Sequence, residues 1–269
     1  MTPLTKCILI GAVTLVGAVQ ASASVLVQES FTYVDGSLTG NGGSGFSGSW
    51  GGTVGTGAWS VSNNAAVITG TGTNTDSRFI NGVSSSSFYF SYDISVNTLA
   101  LTGTTNFVDY MRLDVGGTTF FTGIHYQSFG YNVVASSRTG SSTSQTETLL
   151  TSTSNTTNIN YTIVGYYSFD GSNTSTLSLW INPADETSAA TTSVSWATAT
   201  SATLSKMVLF RSDGLTPARA GTNSTTLDEF LVGSTWADVA TSSVPEPNTY
   251  SAIVGALALG AGLSRRRRR

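Results

Sequence analysis

A period of two constrains this chain more than anything else in it. From Phe88 to Val96, Phe88, Phe90, Tyr92, Ile94 and Val96 fall on one side and Ser91, Asp93 and Ser95 on the other. Successive side chains of an extended strand point to opposite faces, so this run predicts a half-buried antiparallel strand. Met111, Leu113 and Val115 alternate in the same way with Arg112 and Asp114, as do Leu177, Leu179 and Ile181 with Ser178, Trp180 and Asn182. Tyr161 to Phe169 and Lys206 to Phe210 are apolar nearly throughout, which predicts strands covered on both faces. The pairs Asp35-Gly36, Asn81-Gly82, Asp170-Gly171 and Asp213-Gly214 mark turns. No apolar helical period holds for three turns between Val25 and Val239, so helix is expected to be minor. Such a chain is expected to be all-β, with two antiparallel sheets enclosing one core. The Ser/Thr-rich stretch from Ser136 to Asn160 breaks the alternation and reads as a long loop or a polar edge hairpin.

Charge removes some functions. Between Ser24 and Ser243 six basic residues stand against fourteen acidic ones, a balance of −8. An acidic domain repels phosphate backbones, so nucleic acid is not an expected partner. The single cysteine, Cys7, lies in the N-terminal segment, which leaves the rest of the chain without thiol chemistry.

The two ends read as targeting segments. Residues 1–23 carry Lys6, an apolar run from Ile8 to Val19 and then Ala21-Ser22-Ala23, the pattern of a signal peptide with small residues at Ala21 and Ala23 and cleavage after Ala23. Residues 241–269 hold Pro245-Glu246-Pro247, a charge-free stretch that predicts a transmembrane helix over about 248–264, and the cluster Arg265, Arg266, Arg267, Arg268 and Arg269. The arginines would keep the C-terminus in the cytoplasm. This order of Pro-Glu-Pro, span and arginines resembles the PEP-CTERM sorting signal of Gram-negative bacteria that make exopolysaccharide. The resemblance implies export through the inner membrane, transient anchoring, and processing near the tripeptide by an exosortase, leaving the protein at the cell surface.

Residues 24–240 are expected to form a single domain. Tyr167 to Pro183 and Leu227 to Val239 look like the late strands of concanavalin A-like (laminin-G-like) jelly rolls, and Glu29-Ser-Phe-Thr-Tyr33 with Gly40 to Trp50 is similar to the start of such domains. Leu231 departs from that pattern, in which a polar or basic residue is expected, so the outer face of its strand should be covered. The resemblance also makes a structural calcium ion conceivable, although no Asp-x-Asp-x-Asp/Asn-Gly loop occurs.

His125 is the only histidine, in Gly123-Ile-His-Tyr-Gln127, and is taken with Arg112 and Tyr126. Jelly-roll polysaccharide lyases use a His or Tyr to remove the proton beside a uronate while Arg and Gln neutralise the carboxylate. The Gln-Ile-His and Arg-Ser-Glu-Leu-Arg strands of such enzymes are missing, so His125 reads as an ordinary strand residue. Asp185-Glu186 and Asp228-Glu229 are adjacent pairs, which a strand sends to opposite faces, and Asp228 is expected to share the inward face with Phe230 and Val232. Trp50, Trp59, Trp196 and Trp236 are expected in the core, and Trp180 at the surface. The resulting expectation is no catalytic residue and no enzyme. In its place stands a structural, adhesive or carbohydrate-binding component of the extracellular matrix or biofilm, with exopolysaccharide as a partner. The alternative is a glycan-degrading enzyme, such as a polysaccharide lyase using His125.

Overall fold

The structure is a computed structural model that describes residues 24–240 except 43, 53–57, 70–73, 98–105, 128–129, 140–141, 152–158, 198–202 and 214–223. Both terminal targeting segments lie outside the described residues. Among the described residues no helix is long and apolar enough to cross a membrane.

The strands run β1 (Val25–Glu29), β2 (Gly36–Ser37), β3 (Gly51–Gly52), β4 (Ser60–Ser62), β5 (Ala65–Thr69), β6 (Asn74–Ser84), β7 (Ser87–Asn97) and β8 (Asn106–Val115). They continue through β9 (Thr118–Gln127), β10 (Gly130–Thr139), β11 (Ser142–Thr151), β12 (Ile159–Phe169), β13 (Thr174–Ile181), β14 (Thr192–Ala197), β15 (Thr203–Asp213) and β16 (Ser224–Gly233) to one short helix, α1 (Trp236–Val239). Two antiparallel sheets result. One has nine strands in the order β14-β13-β12-β7-β16-β5-β4-β2, with β1 also paired to β16, and the other seven in the order β11-β10-β9-β8-β15-β6-β3. The Ser/Thr-rich segment supplies the β10–β11 hairpin at one edge of the smaller sheet, as the edge-hairpin reading expects.

The inward faces of both sheets meet in one core. From β7 come Phe88, Phe90, Tyr92, Ile94 and Val96, the apolar side of the alternation, and from the other sheet Met111, Leu113, Phe120, Ile124, Met207 and Leu209. Phe120 stacks on Tyr167 with ring centroids 5.6 Å apart, and Tyr167 stacks on Phe88 at 5.1 Å. Tyr92 and Thr122 join the sheets by a buried hydroxyl–hydroxyl hydrogen bond of 3.1 Å. Gly165 lies directly beneath the Phe90 ring, where an added Cβ would come within 2.0 Å of the Phe90 Cζ atom. Gly165→Ala is therefore expected to lower stability by about 1–3 kcal/mol through overpacking, and urea denaturation beside the parent protein measures it.

Asn81-Gly82 does not turn the chain. Val83 pairs with Leu204 and Phe79 with Lys206, so Ile80, Asn81 and Gly82 together oppose Ser205 in a bulge within β6. The bulge receives the Gly-rich segment: Asn81 donates its backbone N–H to the Gly45 carbonyl (2.9 Å) and its side-chain amide to the Phe46 carbonyl (3.0 Å). Asp170-Gly171 does turn the chain, between β12 and β13, with the Asp170 carboxylate accepting from the backbone N–H of Ser172, Asn173 and Thr174.

The Gly-rich segment closes over a buried charge cluster. Glu29 is 1% exposed, and its carboxylate accepts from the Phe31 N–H (2.9 Å), the Tyr33 hydroxyl (2.8 and 2.7 Å), Trp50 Nε1 (2.9 Å) and Arg78 Nη1 (2.8 Å). Arg78 also bonds the Gly48 carbonyl and lies 4.0 Å from the centroid of the Phe46 ring.

Leu231 is covered, as its departure from the jelly-roll pattern implied. It packs with Val164 and Val239 in a small second core under α1, flanked by Tyr89, Trp180 and Trp236.

Candidate functional site

The site begins with a hairpin. Gly116 and Gly117, at φ 54° and 81°, form the two-residue turn that joins β8 to β9. Both positive angles match the twist of the strands, and a two-residue loop fixes their register. Arg112 therefore sits opposite Phe121, Tyr110 opposite Gly123 and Val108 opposite His125, while Asn132 of β10 stands on the other side of His125. Leu113, Phe120 and Ile124 are core residues, so their neighbours Arg112, Asp114, Thr119, Phe121 and His125 occupy the outer face of the seven-stranded sheet.

This face carries cations and aromatic rings. Arg112 grips Asp114 with Nε at 3.1 Å and Nη2 at 3.3 Å, and Asp114 also accepts from the Thr119 hydroxyl at 2.8 Å. Phe121 meets Phe210 edge-on at 6.4 Å. On β6, Phe79 is 61% exposed, with Lys206 Nζ 5.3 Å from its ring centroid. Arg112 is displaced from His125 by four residues along the hairpin, roughly 13 Å at the rise of a strand. Tyr126, the tyrosine singled out with His125, pairs with Phe107 and Tyr131, while the tyrosine position diagonal to His125 is Tyr110.

The opposite face has the opposite sign. There Asp93 and Asp228 stand directly across from each other on β7 and β16, lining a cavity of about 320 Å³ with Tyr161, Thr162, Asn182 and Thr226. The Thr162 hydroxyl donates to Asp93 Oδ1 at 2.6 Å. Asp228 is thus not inward with Phe230 and Val232. The register shifts between Asp228 and Leu231, with Glu229 in the left-handed region at φ 49°, and this bulge turns Asp228 outward before Phe230 re-enters the core. Burial, then the charges of Glu229 and Asp93, push the Asp228 carboxyl up to about 6, and Glu229 is raised by burial and by Asp93. Among the described residues no group of three or more His, Cys, Asp or Glu side chains could hold a metal ion.

A second raised carboxyl gives a pH signature. Asp76 is 1% exposed and burial lifts it to about 6, against hydrogen bonds from the Trp59 N–H and Thr39. A carboxyl raised by folding binds its proton more tightly in the native state. Its contribution is complete below the unfolded pKa near 4 and is lost as pH rises through about 6. Stability is therefore expected to fall by about 2 kcal/mol between pH 4.5 and pH 7, with a smaller share from the half-exposed Asp228. Urea midpoints across that range test this, and Asp76→Asn should remove most of the slope.

The tryptophans divide between two cores. Trp50, Trp59 and Trp196 are in the main core, and Trp236 belongs to the small one. Trp180 stands on the outer face as expected but is covered there: its ring meets Trp236 edge-on at 5.5 Å and its Nε1 donates to the Ser188 carbonyl at 2.7 Å.

No protein-family model matches this sequence, and no curated protein matches it. Solved structures do. An alginate lyase superposes with a TM-score of 0.53 at 11% identity, over 78% of this chain and 98% of its own. A double mutant of that lyase in complex with alginate tetrasaccharide gives 0.52 at 12%, over 79% and 98%. A glycoside hydrolase family protein from Mycobacterium thermorestibile gives 0.50 at 10%, over 77% and 100%. The fold is theirs. The expectation that the chain is no enzyme is overturned by these neighbours, because an alginate lyase and a glycoside hydrolase family protein share its sandwich across nearly their whole length. That expectation rested on missing strand motifs, and at 10–12% identity a fold is shared without shared local motifs.

Proposed function

We propose that this domain cleaves an acidic, uronate-containing polysaccharide by β-elimination on the outer face of the seven-stranded sheet. The observation that carries this reading is the distribution of charge: among the described side chains, Arg112 and Lys206 flank Asp114 on the face of His125 and leave it one net positive charge, while Asp93 and Asp228 stand on the other face. A polyanion is steered to the first face and repelled from the second. The lyase and hydrolase names of the structural neighbours support a glycan as the substrate class.

In this reading His125 takes the proton from the carbon beside the uronate carboxylate. The electron pair forms a C4–C5 double bond, the C4–O glycosidic bond breaks, and the leaving oxygen gains a proton. Arg112 and Lys206, further along the face, hold neighbouring acidic sugars, and Phe79 and Phe121 offer ring faces for sugar stacking.

The test is incubation with a panel of uronate polysaccharides, including alginate, pectate and hyaluronan, followed by the ultraviolet absorbance of the new double bond. Absorbance that grows with time on at least one polymer is expected. Retention on polysaccharide gels without cleavage of any of them would overturn the lyase in favour of a binding module. We also infer, from residues 1–23 and from the Pro245-Glu246-Pro247 tail, that the protein is exported and processed by an exosortase at the surface of a Gram-negative cell.

A further inference from the structure

The first and last elements of the domain meet at Asp238. This residue, in α1, is 7% exposed, and its Oδ2 accepts from the Thr235 N–H (2.8 Å) and the Ser234 hydroxyl (3.1 Å). Its Oδ1 accepts from the backbone nitrogen of Ser24 at 2.8 Å. These partners, with the Thr235 hydroxyl, are neutral, and together they lower the Asp238 carboxyl against the effect of burial. These donors hold the carboxylate in its charged form against the cost of burial, so a positive charge brought to any one of them meets a ready partner.

The sequence supplies such a charge at the Ser24 nitrogen. The small residues Ala21 and Ala23 place a signal-peptidase cut between Ala23 and Ser24. In that hydrolysis the Ala23–Ser24 amide bond breaks, the hydroxyl of water goes to the Ala23 carbonyl carbon and its proton to the Ser24 nitrogen, and the proton given up by the new Ala23 carboxyl makes that amine an α-ammonium at neutral pH.

We propose that the nitrogen of Ser24 is a processing-dependent latch: removal of residues 1–23 turns a neutral Ser24 N–H···Asp238 hydrogen bond into a part-buried ion pair that fastens α1 onto the sheet. This inference rests on the export reading, with cleavage after Ala23, and not on the lyase reading. The geometry is already in place, because β1 starts one residue later with Val25 paired to Gly233, and an added Cβ on Gly233 would come within 2.2 Å of the Asp238 Cβ. What the latch holds is the lid over Leu231 and Val164, together with the point at which the chain leaves the domain for its C-terminal tail. The secreted form is thus stabilised relative to its precursor, and the bond that secretion makes at one end secures the segment that presents the other.

The experiment compares two proteins that begin at Ser24, one with a free amine and one acetylated there, which keeps the N–H but removes the charge. A charge-assisted hydrogen bond is roughly twice as strong as a neutral one, so the free-amine form should fold with an equilibrium constant about fivefold to tenfold larger at pH 6. An amine raised by its partner contributes fully below its unfolded pKa near 8 and loses that contribution as pH rises through the folded value, so the gap should close by pH 10. Asp238→Asn should abolish the gap at every pH. Equal stabilities at pH 6, or a gap that persists in Asp238→Asn, would overturn the latch, and so would a secreted form whose N-terminal sequence does not begin at Ser24. If Asp238→Asn fails to fold, the acetylation pair and its pH profile still decide.

Discussion

His125→Ala should reduce the formation of unsaturated product by about 10²–10⁴-fold, the usual contribution of a positioned general base. The fold should not suffer. His125 stands on the outer face between register partners Val108 and Asn132, while its neighbour Ile124 fills the core, so the substitution should change stability by no more than about 0.5 kcal/mol. Measuring the rate beside the urea midpoint separates loss of chemistry from loss of structure. Affinity for the polymer should persist, because the residues proposed to hold its acidic sugars lie further along the face at Arg112 and Lys206. A variant that retains the parent rate would remove His125 from the mechanism.

The largest effect on stability is expected at Arg78. Its Nη1 lies 2.8 Å from Glu29, with side chains 3% and 1% exposed. Arg78→Met removes the cation and leaves a buried carboxylate, which should cost about 3–5 kcal/mol in urea denaturation followed by tryptophan fluorescence. Trp50, whose Nε1 donates to the same carboxylate, reports on the cluster directly. Adding Glu29→Gln to Arg78→Met should recover part of that loss: the amide keeps an acceptor for the Tyr33 hydroxyl and Trp50 Nε1 but carries no charge to strand. A loss below about 1 kcal/mol for Arg78→Met would mean that water reaches the pair.

The sandwich was legible because alternation is a local property. Phe88 to Val96 specifies its buried side without reference to any other strand, and the structure buries that side. The Leu231 anomaly predicted a cover, and α1 provides it. What misled were places where tertiary contacts reassign a local signal. Asn81-Gly82 has turn chemistry but is spent on a bulge that receives the Gly-rich segment. Asp228 shares the parity of Phe230 and Val232, and the bulge at Glu229 undoes that parity. The face of His125 was half legible. The Gly116-Gly117 pair is a two-residue hairpin signal, and reading it would have set Tyr110 opposite Gly123 and Arg112 opposite Phe121 from sequence alone. That Lys206 and Phe79 join the same face depends on β15 lying between β8 and β6, a long-range pairing that no local pattern announces.

The two smallest strands bear on how such molecules behave when crowded. The ordered paths of the two sheets end on one side, among the described residues, in β2 and β3, each two residues long and made of glycine and serine, with the five-residue β1 paired separately to β16. A stretch that short gives a second chain almost no ladder to extend. On the other flank the sheets end in β11 and β14, ten and six residues long, which do offer one. Edge-to-edge recruitment is therefore favoured at β11 and β14 over β2 and β3, so crowded domains would approach one another by that flank.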